Sequence, residues 1–308
     1  ASIGNQHAKG TKLSYGLGGL GREFLKMAFD TYVFFYYETE IGLNVWYIGA
    51  ALILFAVYNA INDPLIGYLT NREFKFTKKW GRRFPLILLG GIPMGFCYFI
   101  TFTPPSVDPQ SDALILFAWL LMSAVLFDTF HTIFFVNYQS LFPDKFRSAE
   151  ERRSTTAITV PLGVIGVALG AILPPLFIKY GNLETYVIQG LVAFGFTVIM
   201  MLISIPGIRE EPEAIEQYLI KVREDEDRGS FIESMKNAMK QRSFVSFVIL
   251  YTMYCATTVS MTSSISYVVR FILKMEASAT TLLMAGMLIG TLISSPFWVK
   301  YAKKTDNN

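Results

Sequence analysis

Eight stretches of this chain reach or closely approach the length and apolarity needed to cross a lipid bilayer, and no other feature restricts the fold as tightly. A spanning helix takes about 20 mostly apolar residues, because backbone groups inside hydrocarbon must satisfy their own hydrogen bonds. The stretches lie near 18–41, 45–70, 84–104, 112–142, 156–178, 185–206, 244–272 and 278–299. With 52% hydrophobic and 17% charged residues among 308, the composition is that of a membrane protein and excludes a soluble domain. The expected class is an all-α polytopic membrane protein.

The links between the stretches alternate in charge. Arg72, Lys75, Lys78, Lys79, Arg82 and Arg83 separate the second and third stretches, and Lys145, Arg147, Arg152 and Arg153 separate the fourth and fifth. More basic residues fill 208–242 and follow the eighth stretch at Lys300, Lys303 and Lys304, whereas 42–44, 105–111 and 179–184 carry one lysine among them. The positive-inside rule therefore puts the N-terminus, both basic loops and the 208–242 linker in the cytoplasm of a cell-membrane protein. A net charge of +3 scattered over such loops forms no basic face, so the bilayer is the expected partner and nucleic acid is not. Trp46, Trp80 and Trp298 fall near the ends of stretches, as interfacial belts require, and Trp119 does not. Cys97 and Cys255 both sit in apolar stretches and predict neither a disulfide framework nor a metal pair. The opening ASIGNQHAKGTK has no apolar core, so the first spanning helix is expected to direct insertion.

The polar segment after the sixth stretch divides the chain. The expected organisation is a six-helix bundle over 1–207, a cytoplasmic linker over 208–242, and two helices of a second bundle over 243–308. Two helices enclose little by themselves, so further helices or a partner chain are expected to complete them.

An ionisable residue inside a spanning helix is expensive unless it faces a polar interior, which makes each one a site hypothesis. Arg22, Glu23, Lys26 and Asp30 fall on one face, about a third of the helix circumference, and are expected to line a polar cavity where opposite charges compensate. Glu38 and Glu40, near the outer surface, are expected to be solvated. Asp63 lies about 12 Å from the cytoplasmic end of its stretch, too deep for a short side chain to reach water there. Asn59 is one turn away on the same face, Asn62 is adjacent, and Pro64 leaves the Ala60 carbonyl without its helical donor. Carboxylate, amide oxygens and a freed carbonyl are hard ligands of the kind a cation takes, and the same carboxylate can carry a proton. Asp128 stands near mid-span, followed by His131 and by Asn137, Tyr138 and Gln139. Gly163, Gly166 and Gly170 read as close-packing residues. No nucleophile–base or metal-ligand constellation appears, so no enzyme, no cofactor and no metal beyond a Na+ ion at Asp63 is expected.

These residues resemble a known family. Asp63-Pro64, Gly67, Arg72, Thr77, Gly81-Arg82-Arg83 and Pro85 match the D-P-x-x-G-x-x-x-D-R-T…G-R-x-R-P signature of the glycoside-pentoside-hexuronide:cation symporters, the melibiose-permease-like branch of the major facilitator superfamily. KLSYGLGGLGREF at 12–24 resembles that family's first helix, and NYQSLFPDKFRSAEERR at 137–153 resembles its P-Y-x-A-L-L-P-E…E-R run. The resemblance implies a major facilitator fold of two six-helix bundles around a central cavity, of which eight of twelve helices are present. It implies a cation at Asp63 and a substrate at Glu23 and Arg22, and the residues themselves add Asn59 and Asn62 to the expected cation site and Asp128, Asp30, Lys26 and Gln139 to the expected substrate site. It assigns the conformational loop motif to Gly67, Arg72, Gly81, Arg82 and Arg83. Some positions depart from the pattern. Asn59 stands where sodium-coupled melibiose carriers have a second aspartate, Asn71 replaces the loop acid, and Phe135 stands where the fourth-helix sugar-binding aspartate would be. The coupling ion is H+ or Na+, and the single carboxylate leans to H+.

The expected function is a cation-coupled symporter of a sugar or glycoside that works by alternating access. A lysolipid or other amphipathic substrate is the alternative, since lipid carriers share the D-P-x-x-G signature. A non-transporting scaffold or accessory subunit of the same fold is the other class.

Overall fold

The structure is a computed structural model and describes residues 7–70, 74, 76–213, 215–216, 236 and 239–305. Arg72, Asn71, Lys75 and most of the 208–242 linker lie outside the described residues, as do the side chains of Lys78, Trp298, Lys300, Lys303 and Lys304. Among the described residues every regular element is helical. In chain order these are α1 Lys9–Phe35, α2 Val45–Thr70, the short α3 Thr77–Trp80, α4 Phe84–Thr101, α5 Ala113–Lys145, α6 Ala149–Ile172, α7 Leu183–Ile208, α8 Arg242–Tyr267 and α9 Ala279–Thr305. Two π-helical turns continue α1 and α8, at Tyr36–Glu40 and Val268–Ile272, and a 3-10 turn at Pro174–Leu176 follows α6. The protein is a polytopic membrane protein: among the described residues, six helices are long and apolar enough to span, namely α2, α4, α5, α6, α7 and α8. The charges of α1 keep it out of that set.

Several helices run past their apolar stretches because local caps, invisible to a hydropathy reading, set their ends. α6 begins seven residues before its apolar run, where the Ser148 hydroxyl accepts the Glu151 N–H at 3.1 Å and Glu150 and Glu151 face the positive end of the helix dipole. α7 begins at the Asn182 cap, whose side-chain oxygen accepts the Glu184 N–H at 3.1 Å.

α1 is the central element and packs against α6 and α7, while α4 packs on α5 and α7, and α2 lies along α5. Small residues let the backbones approach. A Cβ on Gly166 would meet the Leu20 carbonyl, and one on Gly170 would meet the Phe24 carbonyl, so α6 rests directly on the α1 backbone. Gly163 differs, since its nearest neighbour would be Glu23 Cγ at 3.9 Å. Gly170→Leu is therefore expected to destabilise the fold by about 1–3 kcal/mol or more through overpacking. Gly163→Ala should leave the thermal midpoint of the detergent-solubilised protein unchanged.

Buried tyrosines tie the helices by donating to carbonyls. Tyr15 and Tyr138 stack at 4.2 Å, and each hydroxyl donates to the other residue's carbonyl, at 2.7 and 2.8 Å. Tyr32 donates to the Ala171 carbonyl at 2.6 Å, and Tyr37 to that of Thr101 at 2.8 Å. Each such bond satisfies a phenol that would be costly in a dry interior.

The expectation that Glu38 and Glu40 are solvated is wrong. The Glu40 side chain is 1% exposed and pairs with Arg270, and Glu38 accepts from the Tyr267 hydroxyl. Both acids lie in the π turn at Tyr36–Glu40, and their partners are at the end of α8 and in the π turn that continues it.

Candidate functional site

α2 and α5 lie side by side and bring four polar residues of α2 to face three of α5. Thr132 Oγ1 donates to Asp63 Oδ1 at 2.6 Å. The Asn59 amide is satisfied only with Nδ2 toward the acids, where it lies 3.0 Å from both Asp63 oxygens and 3.3 Å from Asp128 Oδ2. Asn62 Nδ2 donates to the same Asp128 oxygen at 3.4 Å, while its own Oδ1 accepts from the Tyr58 hydroxyl at 3.1 Å. Tyr58 also meets Thr129 Oγ1 at 2.6 Å. Asn62, Asp128 and Thr132 are buried, whereas Asp63 is exposed at the rim. The deep carboxylate of the pair is thus Asp128, and Asp63 opens onto the face of α2 that no described helix covers.

The charges on α1 neutralise one another along the stripe. Arg22 pairs with Glu23, and Lys26 with Asp30 one turn further on. Opposite them α5 presents Phe127, His131 and Phe135, whose rings are spaced at 6.3 and 6.0 Å. The Arg22 guanidinium lies over the Phe135 ring at 4.6 Å and donates to His131 Nε2 at 3.3 Å. Asp128 joins the two groups: it is within electrostatic reach of Asp63 on one side and of Lys26 and Asp30 on the other. Gln139, one turn beyond Phe135, is exposed and is bonded to neither group among the described residues.

A third constellation lies at the basic end of the helices. Gly81 takes φ +88°, a region that favours glycine, and a Cβ there would run into the Glu210 carboxylate. Glu210 Oε2 accepts the backbone N–H groups of Arg83 at 2.6 Å and Phe84 at 3.1 Å, capping α4 from the end of α7. Burial pushes the Glu210 carboxyl above its usual range, and those two amides, with Arg82 and Arg83, offset only part of that rise. Arg83 is 4% exposed and donates to Asn137 Oδ1 at 3.1 Å, and Arg82 pairs with Asp144 at 3.5 Å. Gly67 faces open space on α2. Glu210→Ala is expected to cost about 1–2 kcal/mol by uncapping α4, seen as a lower thermal midpoint.

The sequence reading placed Asp63, Asn59 and Asn62 together, and the structure adds Asp128, which that reading set with the substrate. It missed Thr132, Tyr58 and Glu210. Thr132 is one helical turn from Asp128, a spacing that could have found it, whereas Glu210 meets the loop from a distant helix and carries no local signal.

A family profile described as MFS/sugar transport protein matches residues 14–305. An uncharacterized symporter of Synechocystis sp. is 29% identical over 53% of this chain and 30% of its own length. The sodium-dependent lysophosphatidylcholine symporter 1 of Gallus gallus is 22% identical over 96% of this chain and 60% of its own length. A putative glycoside/cation symporter of Escherichia coli is 29% identical over 33% of this chain and 22% of its own length. The chain thus spans less than two thirds of the length of each of these relatives.

Proposed function

The chain belongs to the MFS/sugar transport protein family, whose members are transporters and not enzymes, and on that premise we propose that it is a cation-coupled symporter of a sugar or glycoside. The observation that carries this reading is the pair of carboxylates from different helices, Asp63 and Asp128, bridged by Asn59 and bordered by Asn62 and Thr132. Asn59 spans the acids with its N–H groups. Turned over, the same amide presents Oδ1, which with both carboxylates and Thr132 Oγ1 makes an all-oxygen set suited to a hard cation. Asp128 replaces the charge that Asn59 lacks, and this favours Na+ over H+ as the coupling ion.

Asp128 also supplies the coupling. A cation between the acids screens Asp128 from Lys26 and alters the balance of the Lys26–Asp30 pair, so ion occupancy changes the stripe that meets the substrate. Substrate binding must change cation affinity by the same factor. The substrate lies against Arg22, Glu23 and the Phe135 platform. In this reading the helices of 1–207 form one bundle and 243–308 begins a second, in the cell membrane, with the N-terminus and the 208–242 linker cytoplasmic.

A lysolipid substrate is the second reading. It is favoured by the Gallus gallus relative, which matches along almost the whole chain, and by the apolar Phe135 beside Arg22. The test is uptake by the full-length protein in sealed vesicles with imposed Na+ or proton gradients, using labelled glycosides and labelled lysophosphatidylcholine in parallel. Accumulation against a gradient driven by Na+ is expected. Uptake indifferent to both ions rules out coupling, and the substrate that accumulates chooses between the readings.

A further inference from the structure

The ends of α1 and α8 are built alike. After α1, Ile41 N–H bonds to the Tyr36 carbonyl at 3.0 Å and Leu43 N–H to that of Tyr37 at 3.0 Å. After α8, Leu273 N–H bonds to Val268 at 2.9 Å and Met275 N–H to Val269 at 3.1 Å. Matching these bonds puts Phe35 against Tyr267 and Glu38 against Arg270, so corresponding positions on the two π turns carry opposite charges. A π turn holds one residue more than an α turn and swings the side chains after it by about 100°. On both helices that swing turns a charged residue toward the other helix.

The contacts join α1, α6, the α6–α7 link, α8 and α9. Glu40 pairs with the Arg270 guanidinium, and its Oε2 accepts the Gly181 N–H at 2.8 Å from the α6–α7 link. The guanidinium lies over Tyr180 at 5.0 Å, Phe271 at 5.6 Å and Phe35 at 5.7 Å. Tyr267 donates to Glu38, and the Thr281 hydroxyl at the start of α9 donates to the Ile172 carbonyl at 3.1 Å. Toward its other end α8 presents large exposed side chains, with Phe247 62% and Leu250 70% exposed. Among the described residues one polar tie between α1 and α8 lies nearer mid-helix, where the Ser263 hydroxyl donates to the Asp30 carbonyl at 2.8 Å, and the others named here between the first six long helices and α8–α9 gather at the end opposite the basic loops.

We infer that Glu40 and Arg270, seconded by Glu38 and Tyr267, form a latch that holds the non-cytoplasmic end closed. The inference rests on the symporter reading and its orientation. In the state with that end open, α8 withdraws from α1, the pair parts and both charges enter water. The latch therefore exists in one of the two states and biases the equilibrium between them. It is more than a surface ion pair, because the Glu40 carboxylate is shielded from water while the two are joined and the Arg270 guanidinium lies against aromatic rings.

Cys255 provides the reporter. It is half-buried at mid-α8, on the face that carries buried Thr262 and Ser266, and the other cysteine, Cys97, is buried among α4 residues. The experiment labels the full-length protein, with every cysteine except Cys255 replaced by serine, in sealed vesicles of both orientations with a membrane-impermeant maleimide. In the wild type Cys255 should react from the cytoplasmic side and little from the other. Arg270→Gln and Glu40→Gln should raise labelling from the outer side about tenfold as the open state gains population. Tyr267→Phe removes only a hydroxyl and should raise it less. Outer labelling that stays at the wild-type level in all three variants overturns the latch, as does wild-type labelling mainly from outside. If Arg270→Gln fails to fold, an unchanged Tyr267→Phe overturns it. Labelling needs no substrate and no ion gradient, so loss of gradient-driven uptake with normal labelling counts against the symporter reading alone.

Discussion

Asp63→Asn is expected to abolish accumulation of substrate against a gradient while leaving equilibration down a gradient in place. The side chain keeps its shape and its bond to Thr132, but the rim of the acid pair loses its charge. A coupling of typical size, about 1–3 kcal/mol, corresponds to roughly 5- to 150-fold in affinity, and that factor should collapse to one. The measurement is the steady-state ratio of internal to external substrate under an imposed Na+ gradient. A variant that still concentrates substrate as the wild type does removes Asp63 from the coupling mechanism. Because Asp63 is exposed and borders no packed core, the substitution should leave folding intact, which separates lost coupling from lost protein.

The second large effect concerns Asp128. Asp128→Asn should raise the Na+ concentration needed for half-maximal uptake by about 10- to 100-fold, the equivalent of about 1.5–3 kcal/mol for a charged contact. The structure predicts a rescue as well. Asn59 Nδ2 lies 3.0 Å from Asp63 and 3.3 Å from Asp128, so Asn59→Asp in the Asp128→Asn background puts the second carboxylate back beside the first, now from α2 instead of α5. The double variant should recover most of the Na+ affinity. Its coupling should remain weaker, because the relocated charge is no longer the one within reach of Lys26 and Asp30. Failure of the double variant to recover any affinity, with the protein folded, would mean that Asp128 acts on the substrate side of the cavity instead.

These expectations draw unequally on sequence and structure. Helix positions were legible because each apolar stretch reports the bilayer thickness directly. Their ends were not, since the Ser148 and Asn182 caps and the π turns after α1 and α8 depend on single hydrogen bonds. The stripe on α1 was legible as well, because 3.6-residue periodicity places Arg22, Glu23, Lys26 and Asp30 on one face wherever the helix goes. A contact within one helix is set by spacing alone, and Lys26–Asp30 is of that kind.

Contacts between helices are different in kind. Nothing local in α5 says that Asp128 faces Asn59, that Phe135 lies under Arg22, or that Asn137 receives Arg83. Glu40 shows the limit most clearly: from sequence it is an acid near a membrane surface, and in the fold its side chain is 1% exposed against Arg270. By itself the sequence determined that this chain is a helical membrane protein with a charged first helix, an acid-amide turn at Asn59–Asp63 and a family signature around Gly81. Only the tertiary structure decided which charges meet. Rotation and register between helices are set by close packing at glycines such as Gly166 and Gly170, and that packing depends on the backbones of both partners at once.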